Sequence, residues 1–325
     1  MVKEPRLSIV STIYKSEKTI IEFLNRMSKS VLNTFGDDYE IIIVNDGSPD
    51  NSLNLALEES KKLKKIKIVD LSRNFGHHKA IMSGLAYACG ELVFLIDSDL
   101  EEMPEIFEDF IKEFKRNSAD VIYGVQRKRK GSLFERISGK LYFKLFNLIT
   151  NLNYPENVLT ARLMKRKYVD SLLLHKESEL YLIGIWHLTG FRQIPIPITK
   201  KSLTPTTYTL SKKLSLVVNS IVSFSDRPLK YIFYLGILIT TLVIIYSSNL
   251  LFSSIFLGIS VSGWTSLILS IWFFGGLTIM ILGILGIYLS KIFIETKHRP
   301  FLIVKDTYFD GFKNDYNAKI QMNRY

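Results

Sequence analysis

Residues 92–105 read LVFLIDSDLEEMPE: five apolar residues that give way at once to Asp97, Ser98, Asp99, Leu100, Glu101 and Glu102. A short continuous apolar run bounded by turn residues is the pattern of a strand buried on both faces. Working outward, residues 7–12, 40–44 (EIIIV) and 66–71 have the same character, while residues 19–31, 52–65 and 78–89 carry helical spacing. Residues 104–117 predict a helix with Pro and neighbouring Glu in its first turn, where both are favoured. Residues 121–123 predict a last strand. Strands alternating with helices place the chain in the α/β class, with a mostly parallel sheet covered on both faces. In such sheets ligands bind beyond the carboxyl ends of the strands.

Three of those ends carry polar clusters: Asn45 to Asp50 (NDGSPD), Ser72 to Gly76 (SRNFG) and Asp97 to Glu102 (DSDLEE). Turns use the same residue types, so one cluster alone says little; three at one edge of one sheet say more. Asp46 is a candidate acceptor for hydrogen bonds from a base or ribose. Alternate residues of an extended segment point the same way, so Asp97, Asp99 and Glu101 are expected to converge. Three carboxylates that close repel one another unless a cation sits between them, and hard oxygen ligands suit Mg²⁺ or Mn²⁺ shared with a substrate diphosphate. The helix macrodipole also favours acids at a helix start, which accounts for Glu101, Glu102 and Glu105 but not for Asp97 and Asp99.

From residue 231 to 290 there are sixty residues without Asp, Glu, Lys or Arg. A bilayer crossing takes about 20 mainly apolar residues, so two transmembrane helices are expected, at 231–251 and 264–293, joined by 252–263. Buried helices of a soluble core are the alternative, but these rarely go so long without a charge. Arg227 and Lys230 before the pair and Lys291, Lys297 and Arg299 after it place both outer ends in the cytoplasm under the positive-inside rule. Residues 1–6 lack the apolar core of a signal peptide, so the preceding part is expected to be cytoplasmic as well, on an integral protein of the inner membrane.

Charge divides the chain further. Residues 1–124 hold 16 Lys and Arg against 21 Asp and Glu, whereas residues 125–230 hold 19 against 6. A basic segment next to a membrane suits anionic head groups or an anionic lipid substrate. No nucleic-acid module accompanies the charge, so no nucleic-acid partner is expected. Cys89 is the single cysteine, which excludes an intrachain disulfide and a thiolate cluster for zinc. Four parts are expected: a nucleotide-binding core (1–124), an acceptor-binding and membrane-interface part (125–228), two transmembrane helices (229–293) and a cytoplasmic tail (294–325). Apolar residues recur at helical spacing from Leu133 to Leu148 and from Leu210 to Phe224 beside lysines and arginines, the pattern of amphipathic interface helices. Packing of both stripes on the sheet is the alternative. Gly275, Gly276, Gly283 and Gly286 permit close helix packing, within the chain or in a homo-oligomer. The five histidines show no metal-ligand spacing and read as ordinary polar residues, although His77 and His78 lie close to the expected diphosphate site.

The series STIYKSE (11–17), VNDGSPDNS (44–52), LSRNFGHHKAIMSGL (71–85) and LIDSDLEEMPE (95–105) resembles family 2 glycosyltransferases with a GT-A, Rossmann-like nucleotide-sugar-binding domain. The continuation through YGVQRKRKGSLFERISGKLYFKLFN (123–147), NVLTARLM (157–164), SFSDRPL (223–229), two spans and ETKHRP (295–300) is similar to the polyprenyl-phosphate glycosyltransferases. The likeness runs from about residue 7 to 304. It implies transfer of one sugar, with inversion, from a nucleotide-diphosphate donor to a polyprenyl phosphate. For bacterial members the donor is UDP-linked and the lipid is undecaprenyl phosphate.

The resemblance implies roles by position. Thr12, Tyr14 and Glu17 stand in the first nucleotide-contacting loop, Asp46 at base or ribose, and Arg73 near the diphosphate. Asp97, Asp99 and Glu101 match the metal and diphosphate site, with Asp97 and Asp99 catalytic. Arg127, Arg129, Ser132 and Arg136 fall in the loop that holds the lipid phosphate, and Arg162 matches the arginine of the next motif; Arg129 and Arg162 count as catalytic too. Departures occur at Thr12 and Lys15, where Pro and Asn are usual, at Gln126 in place of Arg, and at Thr160, often acidic in the family. Chemistry points to the same acceptor: a sugar hydroxyl needs a general base, and the six acids between 125 and 230 form no evident base motif. A lipid phosphate is already ionised and needs cations. Transfer to a polysaccharide or another lipid acceptor, or a non-catalytic nucleotide-sugar-binding membrane protein, are the alternatives.

Overall fold

The computed structural model describes residues 5–126, 157–177, 181–200, 227–257 and 263–313. The predicted alternation is present. Strands β1 (Leu7–Ile13), β2 (Tyr39–Asn45), β3 (Ile66–Leu71) and β4 (Leu92–Leu95) pair in parallel in the order β4-β1-β2-β3, with Ile9 opposite both Ile41 and Phe94. Helices α1 (Ile20–Thr34), α2 (Ser52–Lys62), α3 (His77–Tyr87) and α4 (Phe107–Arg116) connect and follow them. Pro104–Ile106 forms a 3₁₀ turn before α4, shorter than the single helix expected from residue 104. The core sits where α1 and α4 cover the sheet. Phe94 meets Phe107 and Phe110 edge-on at 5.1 and 5.2 Å between centroids, and all three are fully buried. Each such side chain contributes about 1.5–3 kcal/mol.

The sheet is mixed and larger than the one expected. Strand β5 (Val121–Gln126) does not join β4; β6 (Val158–Lys165) lies between them, antiparallel to both, with Arg162 opposite Leu95 and Tyr123. Two short helices, α5 (Arg166–Leu172) and α6 (Leu182–Leu188), lead to β7 (Gln193–Ile198), which pairs with β5 as an edge strand. Its sequence, QIPIPI, suits an edge. Pro195 and Pro197 have the same parity, so both can turn their donor-less nitrogens away from the ladder.

Residues of the expected tail also enter the sheet. Strand β8 (Val304–Phe309) extends it antiparallel to β3 and β9 (Phe312–Lys313) pairs antiparallel with β8, giving the order β7-β5-β6-β4-β1-β2-β3-β8-β9. Phe301 and Leu302 are buried, and Ser72 N–H donates to the Ile303 carbonyl at 2.9 Å. This sheet and its helices form one compact unit.

A second unit contains α7 (Arg227–Leu257) and α8 (Trp264–Thr296), both somewhat longer than the expected spans. Within them Arg227–Tyr246 and Ser270–Thr296 are long and apolar enough to cross a membrane. Side chains such as Phe233, Ile244, Trp272 and Ile279 are exposed. The two amphipathic stripes, 133–148 and 210–224, lie outside the described residues.

Candidate active site

The carboxyl ends of β1, β2, β3 and β4 carry the polar clusters to one edge, as parallel pairing requires. The loop after β1 is fastened to the turn after β2. Lys15 N–H donates to Ser48 Oγ at 2.7 Å, Ser16 N–H to Ser52 Oγ at 2.8 Å, Glu17 N–H to Asp50 Oδ2 at 3.2 Å, and Asn51 N–H returns a bond to Glu17 Oε2 at 3.4 Å. Hydrogen bonds from Ser48, Ser52 and Glu17 outweigh desolvation and hold the Asp50 carboxyl down at about 2. Lys15, Glu17, Lys18, Pro49 and Asp50 line a depression of about 340 Å³. Tyr14 is exposed beside them.

Asp46 is buried, and both its oxygens are engaged: Oδ1 accepts from Phe75 N–H at 2.7 Å and Oδ2 from Gly76 N–H at 3.1 Å. Burial raises its pKa against those donors. Here Asp46 brackets the loop after β3 rather than standing open toward a base or ribose. Arg73, in that loop, is exposed and stacks on the Phe75 ring at 4.2 Å. Gly47 holds φ +59°, and a Cβ there would fall 2.5 Å from the backbone of Arg73 and Asn74. No side chain fits that approach.

The acidic turn after β4 is not extended. Leu100 has φ +61°, and Glu101 N–H donates to Asp99 Oδ1 at 2.9 Å. The three acids therefore do not all point one way: Glu101 is turned to Lys200, 2.9 Å from its Oε2. Asp97 faces His77, whose Nε2 lies 3.3 Å from Oδ1. Burial opposes its ionisation, but His77, Thr160 and the charge of Lys200 prevail and hold it below the usual carboxylate range. Asp99, although its side chain reaches solvent, is pushed up by partial desolvation, with Asp97 and Glu101 adding to the effect. Glu102 is buried, accepts Ala161 N–H at 3.1 Å on Oε2, and leaves Oε1 without a partner. Burial first, then the charges of Asp97 and Asp99, raise it to about 8.

In the folded chain Glu102 therefore keeps its proton up to about pH 8, whereas an unfolded glutamate gives it up near 4.5. The stability linked to that proton is fully present below the unfolded value and is lost as pH rises through the folded one. In EDTA, the unfolding midpoint is expected to fall between pH 5 and 8.5. Glu102→Gln should raise it by a few degrees at pH 8.5 and change it little at pH 5, as read by circular dichroism. A variant that tracks the wild type at both pH values contradicts the assignment.

Arg162 is fully buried on β6. Its Nε and Nη2 donate to the Thr160 and Leu159 carbonyls, each at 3.3 Å, and its guanidinium stacks on Trp186. Arg127, Arg129, Ser132 and Arg136 lie outside the described residues. His77, Glu102 and Lys200 belong to the site although the sequence did not single them out. His77 lies twenty residues before Asp97 and Lys200 a hundred after it, so no local motif announces either.

A divalent cation suits part of this donor set. Asp97 and Asp99 sit close enough to disturb each other's ionisation, as metal-binding carboxylates do, and two protein carboxylates with phosphate oxygens completing the shell is a common arrangement for Mg²⁺. Glu101 fits less well, being tied to Lys200. Among the described residues no three His, Cys, Asp or Glu side chains are grouped to hold a metal by themselves.

The profile described as glycosyl transferase family 2 matches residues 8–173, which span β1 to α5 and so contain most of this edge. The chain belongs to glycosyl transferase family 2. Its relatives include a Mycobacterium tuberculosis protein named among putative glycosyltransferases, 43% identical over 93% of this chain and 88% of that one. An Escherichia coli prophage bactoprenol glucosyl transferase homolog is 30% identical over 92% of this chain and 98% of its own. Among solved structures, a fragment of Staphylococcus aureus TarS in complex with UDP-GlcNAc covers 68% of this chain and 67% of its own, at 19% identity and a TM-score of 0.45. The family expected from the motifs is thus the family found. As a glycosyltransferase, the enzyme transfers a sugar.

Proposed function

We propose that this glycosyltransferase moves a single sugar from a nucleotide-diphosphate donor, UDP-linked, to polyprenyl phosphate at the cytoplasmic face of the inner membrane, undecaprenyl phosphate being the lipid. The observation that carries this reading is that one chain holds both the Asp97–Asp99 edge and two long, exposed apolar helices. The bactoprenol glucosyl transferase homolog, which matches along 92% of this chain, supports the same acceptor.

In this reading Asp97 and Asp99 hold Mg²⁺ or Mn²⁺, which supplies positive charge for the departing nucleotide diphosphate. Thr12, Tyr14, Glu17 and Arg73 surround the donor, and Asp46 holds the Arg73 loop in place. Arg127, Arg129, Ser132 and Arg136 take the lipid phosphate, and Arg162 joins them as the member held by the core. The acceptor is ionised at neutral pH, so the protein's task is to bring two anions together in line, and inversion at the anomeric carbon follows. Gly275, Gly276, Gly283 and Gly286 have open space where a Cβ would lie, and a second copy packed there is part of the proposal.

The test is transfer of radiolabelled sugar into an organic-extractable, acid-labile product, first across a panel of nucleotide sugars. Product should require both polyprenyl phosphate and a divalent cation. Equal transfer under complete chelation, or without the lipid, rejects the reading. Arg129→Ala is expected to raise the KM for polyprenyl phosphate by about 10-fold or more, the loss of one charge-assisted contact, with the donor KM within about 2-fold. Equal losses for donor and lipid contradict the acceptor role.

A further inference from the structure

Asp97 is reached by the His77 side chain, and a second element, β1, holds the far side of that ring. His77 opens α3 and spans a gap: its Nε2 lies 3.3 Å from Asp97 Oδ1, and its Nδ1 lies 3.1 Å from Thr12 Oγ1 at the end of β1. Thr12 also touches the acidic turn itself, since its carbonyl accepts from Ser98 Oγ at 2.7 Å. From β6, Thr160 helps to hold the same Asp97 carboxylate below its usual range. The backbone that carries His77 is itself pinned, because Asp46 binds the N–H groups of Phe75 and Gly76 just before it.

We propose that His77, steered by the Thr12 hydroxyl, is a positioning residue that fixes the orientation of the Asp97 carboxylate toward the divalent cation. The inference rests on the cation assignment made above. With Thr12 O–H donating to Nδ1 and Nε2–H donating to Asp97, the imidazole has one tautomer and one ring orientation, and the carboxylate it holds loses rotational freedom before any cation arrives. The role needs a donor at Nε2 and no change of charge. Groups that orient a metal ligand in this way are worth about 10–100-fold in metal affinity.

The experiment uses the full chain in detergent and titrates Mn²⁺ alone, following free Mn²⁺ by electron paramagnetic resonance, without donor or acceptor. His77→Phe keeps a ring and removes both hydrogen bonds; it should weaken Mn²⁺ binding by about 10-fold or more. His77→Gln restores a donor in reach of Asp97 and should return affinity to within a few-fold of wild type. Thr12→Val keeps shape, loses the tether, and should weaken binding by about 2–5-fold, a fraction of that range. If His77→Phe fails to fold, judged by its unfolding midpoint, Thr12→Val and His77→Gln decide. Wild-type affinity in Thr12→Val together with a His77→Gln loss as large as that of Asp99→Asn overturns the inference. So does wild-type affinity in a folded His77→Phe while Asp99→Asn no longer binds; in that case the cation assignment stands. A wild-type chain that takes up no Mn²⁺ overturns the cation assignment, and this inference with it.

Discussion

Asp99→Asn is expected to lower sugar transfer by at least about 100-fold while leaving the chain folded, the scale of losing one electrostatic group that acts on developing charge. The fold should survive because the Asp99 side chain is exposed, and because an asparagine Oδ1 can still accept the Glu101 N–H. What is lost is the charge of the one acid among Asp97, Asp99 and Glu101 that is paired with neither His77 nor Lys200. A second readout comes with it. Asp99 is among the causes that raise Glu102, so in the variant Glu102 should titrate closer to its ordinary value. Initial rates with radiolabelled donor, beside circular dichroism, check the first claim. Undiminished turnover in a folded Asp99→Asn enzyme removes the cation from the mechanism.

Gly47→Val is expected to have the largest effect on the fold of the donor loop. The position has φ +59°, costly for a β-branched residue by about 1–3 kcal/mol. The added Cβ would also lie 2.5 Å from Arg73 C and Asn74 N, backbone atoms that cannot rotate aside. Relief requires the 73–76 loop to move, which takes Phe75 and Gly76 N–H away from Asp46 and leaves a buried carboxylate without donors, a further loss of about 1–3 kcal/mol or more. Gly36→Ala is the control, since Gly36 has φ +93° but nothing within 4 Å of a Cβ. It should lose about 1–2 kcal/mol from strain alone and keep its UDP affinity. Gly47→Val should melt well below it and bind UDP weakly. Equal melting and equal UDP affinity in the two variants contradict the close approach.

Four parallel strands and their helices were legible because apolar runs such as EIIIV and LVFLI signal burial on both faces, whatever lies beside them. Lateral order was not. The insertion of β6 between β4 and β5 depends on pairing across more than sixty residues, and VLTARLMK carries no mark of its neighbour. β7 was hidden by its prolines, which a sheet tolerates at an edge. β8 was hidden by its place after two apolar helices, where an isolated tail was expected. In the site, residue types at strand ends were readable but the direction of each side chain was not. A single left-handed residue, Leu100, turns Glu101 away from Asp97 and toward Lys200. His77 looked ordinary because its partners, Thr12 and Asp97, come from other strands.

The late position of β8 has a consequence for how the molecule is made. On the ribosome, everything from β1 through α8 emerges before Val304, and until then β3 is the rim of the sheet, offering unpaired peptide groups beside buried Ile66 and Ile68. Such a rim invites pairing with other chains. A product cut short before both apolar helices would lack β8 and β9 as well, and would leave β3 as an uncovered rim. The two long apolar helices and the strand that covers the β3 rim thus follow one another directly in the chain.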